Sequence, residues 1–589
     1  MRLKVTKSSK STRLYAIKST YDPRTKKTSS KIAAKLGTAE EVMEREGTDY
    51  EGAIAWARAE IARMTAEEEA DSAAVTVRLR PAKRIERGAR RRANVGYLFP
   101  AKVLSELGLR GICDGIAEEA SFGFDLGEIA EHLVVGRMLS PSSKLATFGW
   151  CQGLVEPPSF SEHQVYRALS ALAAGSDAIQ AELYRSSARL RRRRTGVLYY
   201  DCTNYFFEVG GADEGGDRQY GVSKEHRPNP IVQMGLFMDA DGIPLAFRIT
   251  PGNASEQVTL KPLERTIMEE FGESRFVVCT DAGLSSKENR LFNTEGGRAF
   301  VTVQSIKKMK ADLREWALDR TGWMLPGSDG AYDLREVGEA ENWERVFYKE
   351  RWAKDDDGFE QRYVATFSFK YMEYQASIRE QQAERAAAKA AKGAKAAERR
   401  NPNDPARFLS VEHVTAEGEL ASRAVVALDE SKVAEEARYD GFSCIATSLE
   451  DDPAEIIAVN KRRWQIEECF RIMKTEFRAR PVYLSRSDRI RGHFLTCFVA
   501  LLVYRLMDER LGHAFTCEEL LKTLRGMDML ELSGEGWVPA YTRDDVTDAL
   551  HDAFGFRTDY EIVTNRQMGK ALTAAHSAKV KKVPKGNPA

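Results

Sequence analysis

The chain has 589 residues and a mass of 66.0 kDa, with 88 Lys and Arg against 88 Asp and Glu. At 43% hydrophobic and 30% charged it is composed as a folded protein with a sizeable core, long enough for about three to five domains, and a wholly disordered chain is excluded. Eight scattered cysteines without a CxxC pair argue against a disulfide framework or a structural zinc site and fit a reducing compartment. The N-terminus, MRLKVTKSSK, has no apolar signal region, and the most apolar stretch, Phe494 to Met507, is short for a membrane span and carries Arg505, so it reads as a buried helix.

The balanced charge is unevenly spread. Up to about Gly37 the cations Arg2, Lys4, Lys7, Lys10, Arg13, Lys18, Arg24, Lys26, Lys27, Lys31 and Lys35 face only Asp22, and the centre of this segment predicts two short strands around an Asp-Pro turn. An acidic helical stretch, Ala39 to Ala73, precedes a second basic run, Arg78 to Arg92, and two such runs around an acidic helix suit a polyanion-binding arm over residues 1–94. Residues 95–195 carry helical periodicity and close on an arginine run, Arg189 to Arg194. From Val197 short apolar runs follow: VLYYD, IVQMGLFMD, IPLAFRI, then a helix, FVVCTD and AFVTVQS. This β-β-β-α-β-α-β order over residues 196–306 predicts a mixed sheet covered by helices. Residues 307–440, with strand-like pieces and an Ala/Lys/Arg-rich solvated helix, read as an insertion into that sheet domain. The sheet domain resumes over 441–511, and 512–589 is helical before a basic tail of Lys579, Lys581, Lys582 and Lys585.

Three acids stand out. Asp201 closes the first strand and Asp281 the fourth, and in a sheet of this order those strand ends can lie side by side; a few carboxylates with water are what Mg²⁺ or Mn²⁺ sites use. Either Asp alone also fits a strand-end or turn-initiating residue. In NKRRWQIEECFRIMKTEFRAR, plotted as one helix at about 100° per residue, Val459, Ile466, Phe470, Met473 and Phe477 form an apolar stripe. Arg463, Glu467, Arg471, Lys474 and Arg478 form its neighbour, so Glu467 is the single acid of a cationic face, while Glu468 lies about a quarter-turn away. An Arg463–Glu467–Arg471 set of i,i+4 ion pairs is one reading of the stripe; a metal-binding acid beside a phosphate backbone is the other.

At these residues the chain resembles the DDE transposases of bacterial insertion sequences, of the type with a Tyr-x2-Arg-x3-Glu-x6-Lys signature. Arg463, Glu467 and Lys474 match that spacing, and Trp464 and Ile466 complete an R-W-x-I-E string. Asp201 with Thr203 in D-x-T, Asp281 in D-A-G, and the stretch GVSKEHRPNPIVQMGLFMDADGIPLAFRITPGNASE with its G-I-P-L and G-N-x-x-E strings resemble the rest of the family pattern over residues 95–510. One position departs: Asn460 stands where the signature has Tyr, which bears on DNA affinity rather than on the acids.

The resemblance implies an RNase H-like α/β core, a mixed five-stranded sheet with flanking helices and an insertion. Asp201, Asp281 and Glu467 would together hold two Mg²⁺ or Mn²⁺ ions for DNA cleavage and strand transfer, with water or a 3′-hydroxyl as nucleophile. Arg463 and Lys474 would clamp phosphates; Arg471, Arg478, Lys224, His226 and Arg227 are further candidate DNA contacts. The implied partners are the element's terminal inverted repeats, target DNA and a second copy in a synaptic dimer; a cytoplasmic, nucleoid-associated location with no membrane partner follows. In related transposases an aromatic residue of the insertion holds a flipped base, for which Trp316, Trp323, Trp343 and Trp352 are available. No GxxxxGK[ST] loop or HExxH pair points to nucleotide or zinc chemistry. The alternative of another class is a transposase-derived DNA-binding protein that has lost catalysis.

Overall fold

The computed structural model describes residues 1–8, 11–22, 27–72, 81–82, 84–120, 123–208, 211–392, 398–399, 403–414, 423–532 and 534–579. Among the basic positions named above, Lys10, Arg24, Lys26, Arg78, Arg80, Lys83, Lys581, Lys582 and Lys585 lie outside the described residues, as does Pro23 of the expected turn. Two compact units result, Met1–Ala89 with Leu532–Gly536, and Arg90–Glu531 with Trp537–Ala589. This division is coarser than the six segments expected from the sequence.

The first unit holds three strands where two were expected: β1 (Arg2–Lys7), β2 (Thr12–Asp22) and β3 (Lys27–Thr38), antiparallel in that order. Alternation decides this: Leu3 stands opposite Ala16 and Val5 opposite Leu14, which puts the apolar positions of β1 on one face. Two helices complete the unit, α1 (Ala39–Glu46) and α2 (Tyr50–Ser72). Thr38 and Glu41 close a capping box at the start of α1, and Gly47 ends it at φ 60°. Leu14, Ala39, Val42, Ala53 and Ala57 form its core. Opposite that core, Lys4, Tyr15 and Lys35 stand in one cross-strand row, with both lysines exposed.

The second unit starts with β4 (Arg92–Asn94) and six helices: α3 (Leu98–Leu107), α4 (Leu109–Ala120), α5 (Leu126–Leu139), α6 (Lys144–Cys151), α7 (Glu162–Ala174) and α8 (Ser176–Leu190). Then come β5 (Val197–Phe206), β6 (Ile231–Met238), β7 (Pro244–Pro251), α9 (Leu260–Thr266), β8 (Val277–Thr280), α10 (Lys287–Phe292) and β9 (Ala299–Val303), the order the hydrophobic runs predict. The expected insertion supplies α11 (Ala311–Leu318), β10 (Phe347–Lys354), β11 (Glu360–Phe367), α12 (Phe369–Ala390), β12 (Leu409–Val414), β13 (Arg423–Leu428) and α13 (Glu430–Ala437). After it run β14 (Phe442–Thr447), α14 (Pro453–Lys461), α15 (Trp464–Thr475), α16 (Ser487–Arg510), α17 (Cys517–Gly526), β15 (Asp528–Leu532), β16 (Gly536–Pro539), α18 (Asp545–Phe554) and α19 (Asn565–Ala575).

The main sheet has eight strands, ordered β10-β11-β14-β9-β8-β5-β6-β7, and so corrects the expected five. β8 runs parallel to β5 and β9, and the other pairings are antiparallel. Five strands alone would leave β9 an open edge; β14 covers it, with Ile445 opposite Val303, and the β10–β11 hairpin extends the sheet further. The Ala/Lys/Arg-rich α12 is likewise not wholly solvated, since Ala386 is buried against Ala406, Phe408 and Leu409.

A helix through the middle of this unit ties its layers together. α16 is long and apolar enough to cross a membrane by length and composition, longer than the apolar run Phe494–Met507 suggested, but 89% of its most apolar window is buried. Phe494, Phe498 and Leu502 share one core with Val95, Leu169, Tyr205, Phe247 and Phe470, so the N-terminal helices and the sheet do not have separate interiors. Phe247 stacks on Phe498 at 5.0 Å. α16 approaches α7 closely at Gly492, where a Cβ would stand 2.1 Å from the Leu169 carbonyl oxygen. Gly492→Ala is therefore expected to cost ~1–3 kcal/mol, because two helix backbones must separate. Urea unfolding measures this, and an unchanged midpoint would show the crossing to be loose.

Candidate active site

The parallel ladder between β5 and β8 pairs Val197 with Val277, Leu198 with Val278 and Tyr199 with Cys279. Two residues past its last rung, Asp201 and Asp281 stand at matching register positions. Asp281 is held by its own turn: its Oδ1 accepts from Gly283 N at 3.0 Å and Leu284 N at 3.1 Å, and Thr302 Oγ1 donates to its carbonyl at 3.1 Å. Asp201 Oδ1 accepts from Cys202 N at 2.7 Å.

On β5, Tyr199, Asp201, Thr203 and Tyr205 share one face. Tyr199 Oη donates to the Val459 carbonyl at 2.9 Å, Lys474 Nζ to Thr203 Oγ1 at 2.5 Å, and Tyr205 Oη to Met473 Sδ at 3.7 Å. The segment from α14 to α15 thus runs along this face, and Asp201 lies between the points where Val459 and Lys474 touch it. That interval of the helix layer contains Arg463 and Glu467.

The helix layer differs from its prediction. α14 ends at Lys461, Arg462 and Arg463 form a turn, and α15 ends at Thr475. The apolar stripe holds from Ile466 to Phe477, all buried, whereas Val459 belongs to α14 and is only partly buried. Arg478, expected on the helix face, lies beyond it at φ 44°. Arg471 is drawn to Glu468 at 3.6 Å, and Glu468 also takes 2.8 Å from the largely buried Arg505, so both belong to the junction with α16.

Glu467 is exposed and faces Arg463 at 3.4 Å, the ion pair that the sequence left open. Among the described residues no group of three or more His, Cys, Asp or Glu is close enough to hold a metal ion. The structure thus brings Asp201 and Asp281 together and leaves Glu467 on its counterion. The two Asp residues fit a hard cation. Burial lifts the Asp201 carboxyl to about 6, with Lys224 opposing, Asp281 adding to the rise, and the Cys202 amide and Arg463 opposing. A bound cation would relieve that cost.

The loop between β5 and β6 supplies the other candidates. Lys224 Nζ donates to the Cys202 carbonyl at 2.5 Å and pairs with Glu256 at 2.9 Å, which sets it beside Asp201. His226 is exposed and turns the chain at φ 56°, and Arg227 is exposed with its guanidinium 4.2 Å from the Phe206 ring centroid. Burial and the nearby Lys224 lower the Lys474 ammonium to about 8. Sequence reasoning missed Glu225 and Arg480, which contact each other, and the role of Glu256 within the G-N-x-x-E string. No periodicity marks Glu225 or Arg480; only the fold joins a loop residue to one past a helix end. Of the insertion tryptophans, Trp323 is fully buried in a secondary core with Trp316 and Trp343 packed on it, while Trp352 is 41% exposed. Burial removes Trp323 from base-stacking roles.

Asp201 makes a pH prediction. A carboxyl whose folded value is raised from 3.8 to about 6 costs stability as pH rises through that window, and the cost is complete above it. Asp201→Asn removes it, so the variant should be more stable than wild type at pH ~7.5, by up to ~3 kcal/mol, and nearly equal to it below pH ~3.5. Denaturant melts at the two pH values measure this; a pH-independent difference would contradict the assigned cause.

The family described as "Transposase DDE domain" matches residues 205–503, just over half the chain; the match contains Asp281 and Glu467 and begins just after Asp201. No curated protein matches the chain. Among solved structures, the cryo-EM synaptic complex of piggyBac transposase with hairpin DNA is similar at 8% identity and a TM-score of 0.35, covering 84% of this chain and 86% of that one. The Mos1 transposase paired-end complex with the left transposon end is similar at 12% identity and a TM-score of 0.13, covering 40% of this chain and 65% of that one. With the matched region running from the end of β5 through β6 to β14 and across α14 and α15, the chain belongs to the DDE transposase domain family.

Proposed function

We propose that the chain is the transposase of a bacterial insertion sequence, binding the element's terminal inverted repeats and carrying out DNA cleavage and strand transfer at them. The observation that carries this reading is that Asp201 and Asp281 each stand two residues past the last rung of the parallel β5–β8 ladder, with Lys474 bound to Thr203 two residues along. Two divalent ions held by Asp201, Asp281 and Glu467 would supply activation of the attacking oxygen and stabilisation of the leaving one. The remaining work falls to this chain's own groups. Lys474 and Arg463 flank the Asp201 face and hold phosphate oxygens near the reacting bond. Glu256 neutralises Lys224, which keeps one cation beside Asp201 from competing for DNA.

Supporting this reading in the first unit, the row of Lys4, Tyr15 and Lys35 crosses the sheet face away from its core and offers two exposed cations to a phosphate backbone. The rival reading, a DNA-binding descendant without catalysis, draws on the Arg463–Glu467 pair and the lack of a three-acid group among the described residues. Metal-dependent nicking of a plasmid that carries the element's ends decides between them.

In that assay Glu467→Gln should lower cleavage by at least ~10²-fold, about 2.7 kcal/mol of barrier. Glu468→Gln should leave the rate per folded molecule nearly unchanged and lower the melting temperature instead, because Glu468 is the partner of Arg505. Equal rate losses would sink the assignment of Glu467. Removing residues 1–89, which spares β4, should abolish most end binding and flatten its salt dependence, the loss of about six phosphate contacts corresponding to a slope of about −5. Undiminished end binding by the truncated chain would place recognition in the second unit.

A further inference from the structure

One carboxylate in the second unit has more cations around it than its neutralisation needs. Glu225 contacts Arg480 and lies 3.9 Å from both Lys474 Nζ and Arg227 Nε. The guanidinium groups of Arg227 and Arg480 lie 4.2 Å and 5.8 Å from the Phe206 ring centroid, so the end of β5 organises them. Glu225 is carried there by a turn built for the purpose. Ser223 Oγ accepts from Glu225 N and Arg227 N, each at 3.3 Å, and the Ser223 carbonyl accepts from His226 N at 3.0 Å, with His226 at φ 56°. Asn204 anchors the turn to β5, donating to the Val222 carbonyl at 3.1 Å and accepting from Lys224 N at 3.3 Å.

Three cations on a single carboxylate leave a net positive cluster. It adjoins the Asp201 face, since Lys474 holds Thr203, two residues or ~6.7 Å along the strand from Asp201. A carboxylate and a phosphodiester present the same feature to a guanidinium, a pair of anionic oxygens. We infer that Arg227, Lys474 and Arg480 form a subsite for a DNA backbone phosphate, and that Glu225 fills it in the free protein as an internal anion which the phosphate displaces. This rests on the DNA-cleaving reading above and adds to it Arg480 as a phosphate ligand and Glu225 as its competitor.

Fluorescence anisotropy of the full-length chain with a labelled duplex of arbitrary sequence, titrated over a range of salt, tests the inference, since backbone binding does not depend on sequence. Glu225→Gln keeps the size of the side chain and removes its charge. It should bind ~10-fold more tightly at ~0.1 M salt, with a salt slope about one unit steeper, as expected for one added phosphate contact. Adding Arg480→Gln should erase both gains. Glu225→Asp, which keeps the charge, should stay close to wild type and provides a second variant if the Gln form does not fold; melting curves report folding for each. Weaker or unchanged binding by Glu225→Gln, an unchanged slope, or a gain that survives Arg480→Gln overturns the subsite. If wild type binds duplex with normal salt dependence and Glu225→Gln gains nothing, only the subsite fails. If wild type shows no salt-dependent duplex binding, the DNA-cleaving reading fails with it.

Discussion

Three rungs of parallel pairing, between Val197–Tyr199 and Val277–Cys279, are the constraint on which the site depends. They join segments about eighty positions apart and set Asp201 and Asp281 at the same height past the end of the ladder. A slip by one residue would turn one of the two side chains to the opposite face of the sheet. The register is protected from both sides. β6 pairs with β5 along Tyr199–Phe206, and β9 pairs with β8 along Val277–Thr280, so neither central strand has a free edge on which to slide. The cost of burying Asp201 there, with Asp281 adding to it, appears in its lifted carboxyl, a local strain that the surrounding sheet can sustain.

Much of the positive charge is structural. Within the arginine run, the Arg193 side chain is buried and pairs with buried Asp239 at 2.5 Å, while its Nη2 donates to the carbonyls of both Ile243 and Pro244, at 3.2 and 3.0 Å. Arg191 bridges Asp241 and Glu509, each at 2.6 Å. These guanidiniums fasten α8 to the β6–β7 turn and to α16, since a buried charge is tolerated only when paired and hydrogen-bonded. Arg505 does the same for α15 through Glu468. Such pairs separate two neighbouring acids of similar sequence context. Glu468 is tied into the packing between α15 and α16, and Glu467 stays at the surface beside Arg463.

The segment between β9 and β14 changes character in the folded chain. As an inserted block it would have to build its own core, and it does contain one around Trp323, Phe347 and Phe367. Yet Val364 and Ile445 belong to the large core with α16, because β10, β11 and β14 continue the main sheet. Hydrogen-bonding capacity at an open strand edge explains this. The edge left by β9 is taken by β14, the last of the three to return, and the β10–β11 hairpin adds beyond it.

Sequence periodicity was enough for the strands from β5 to β9 and for the buried stripe Ile466, Phe470, Met473 and Phe477, because alternation and helical spacing are local consequences of which face is wet. The same local rules singled out Asp201, Asp281 and Glu467 as strand-end or isolated acids. What they could not give was the break between α14 and α15, where the backbone turns at Arg462 with neither Gly nor Pro to announce it. Nor could they give the third strand of the first unit, the three strands added to the main sheet, or the meeting of Glu225 with Arg480. Pairing partners, edge coverage and the choice of counterion depend on groups far apart in the chain. Local spacing carries no term for them, and only tertiary packing, which sets those distances, decides them.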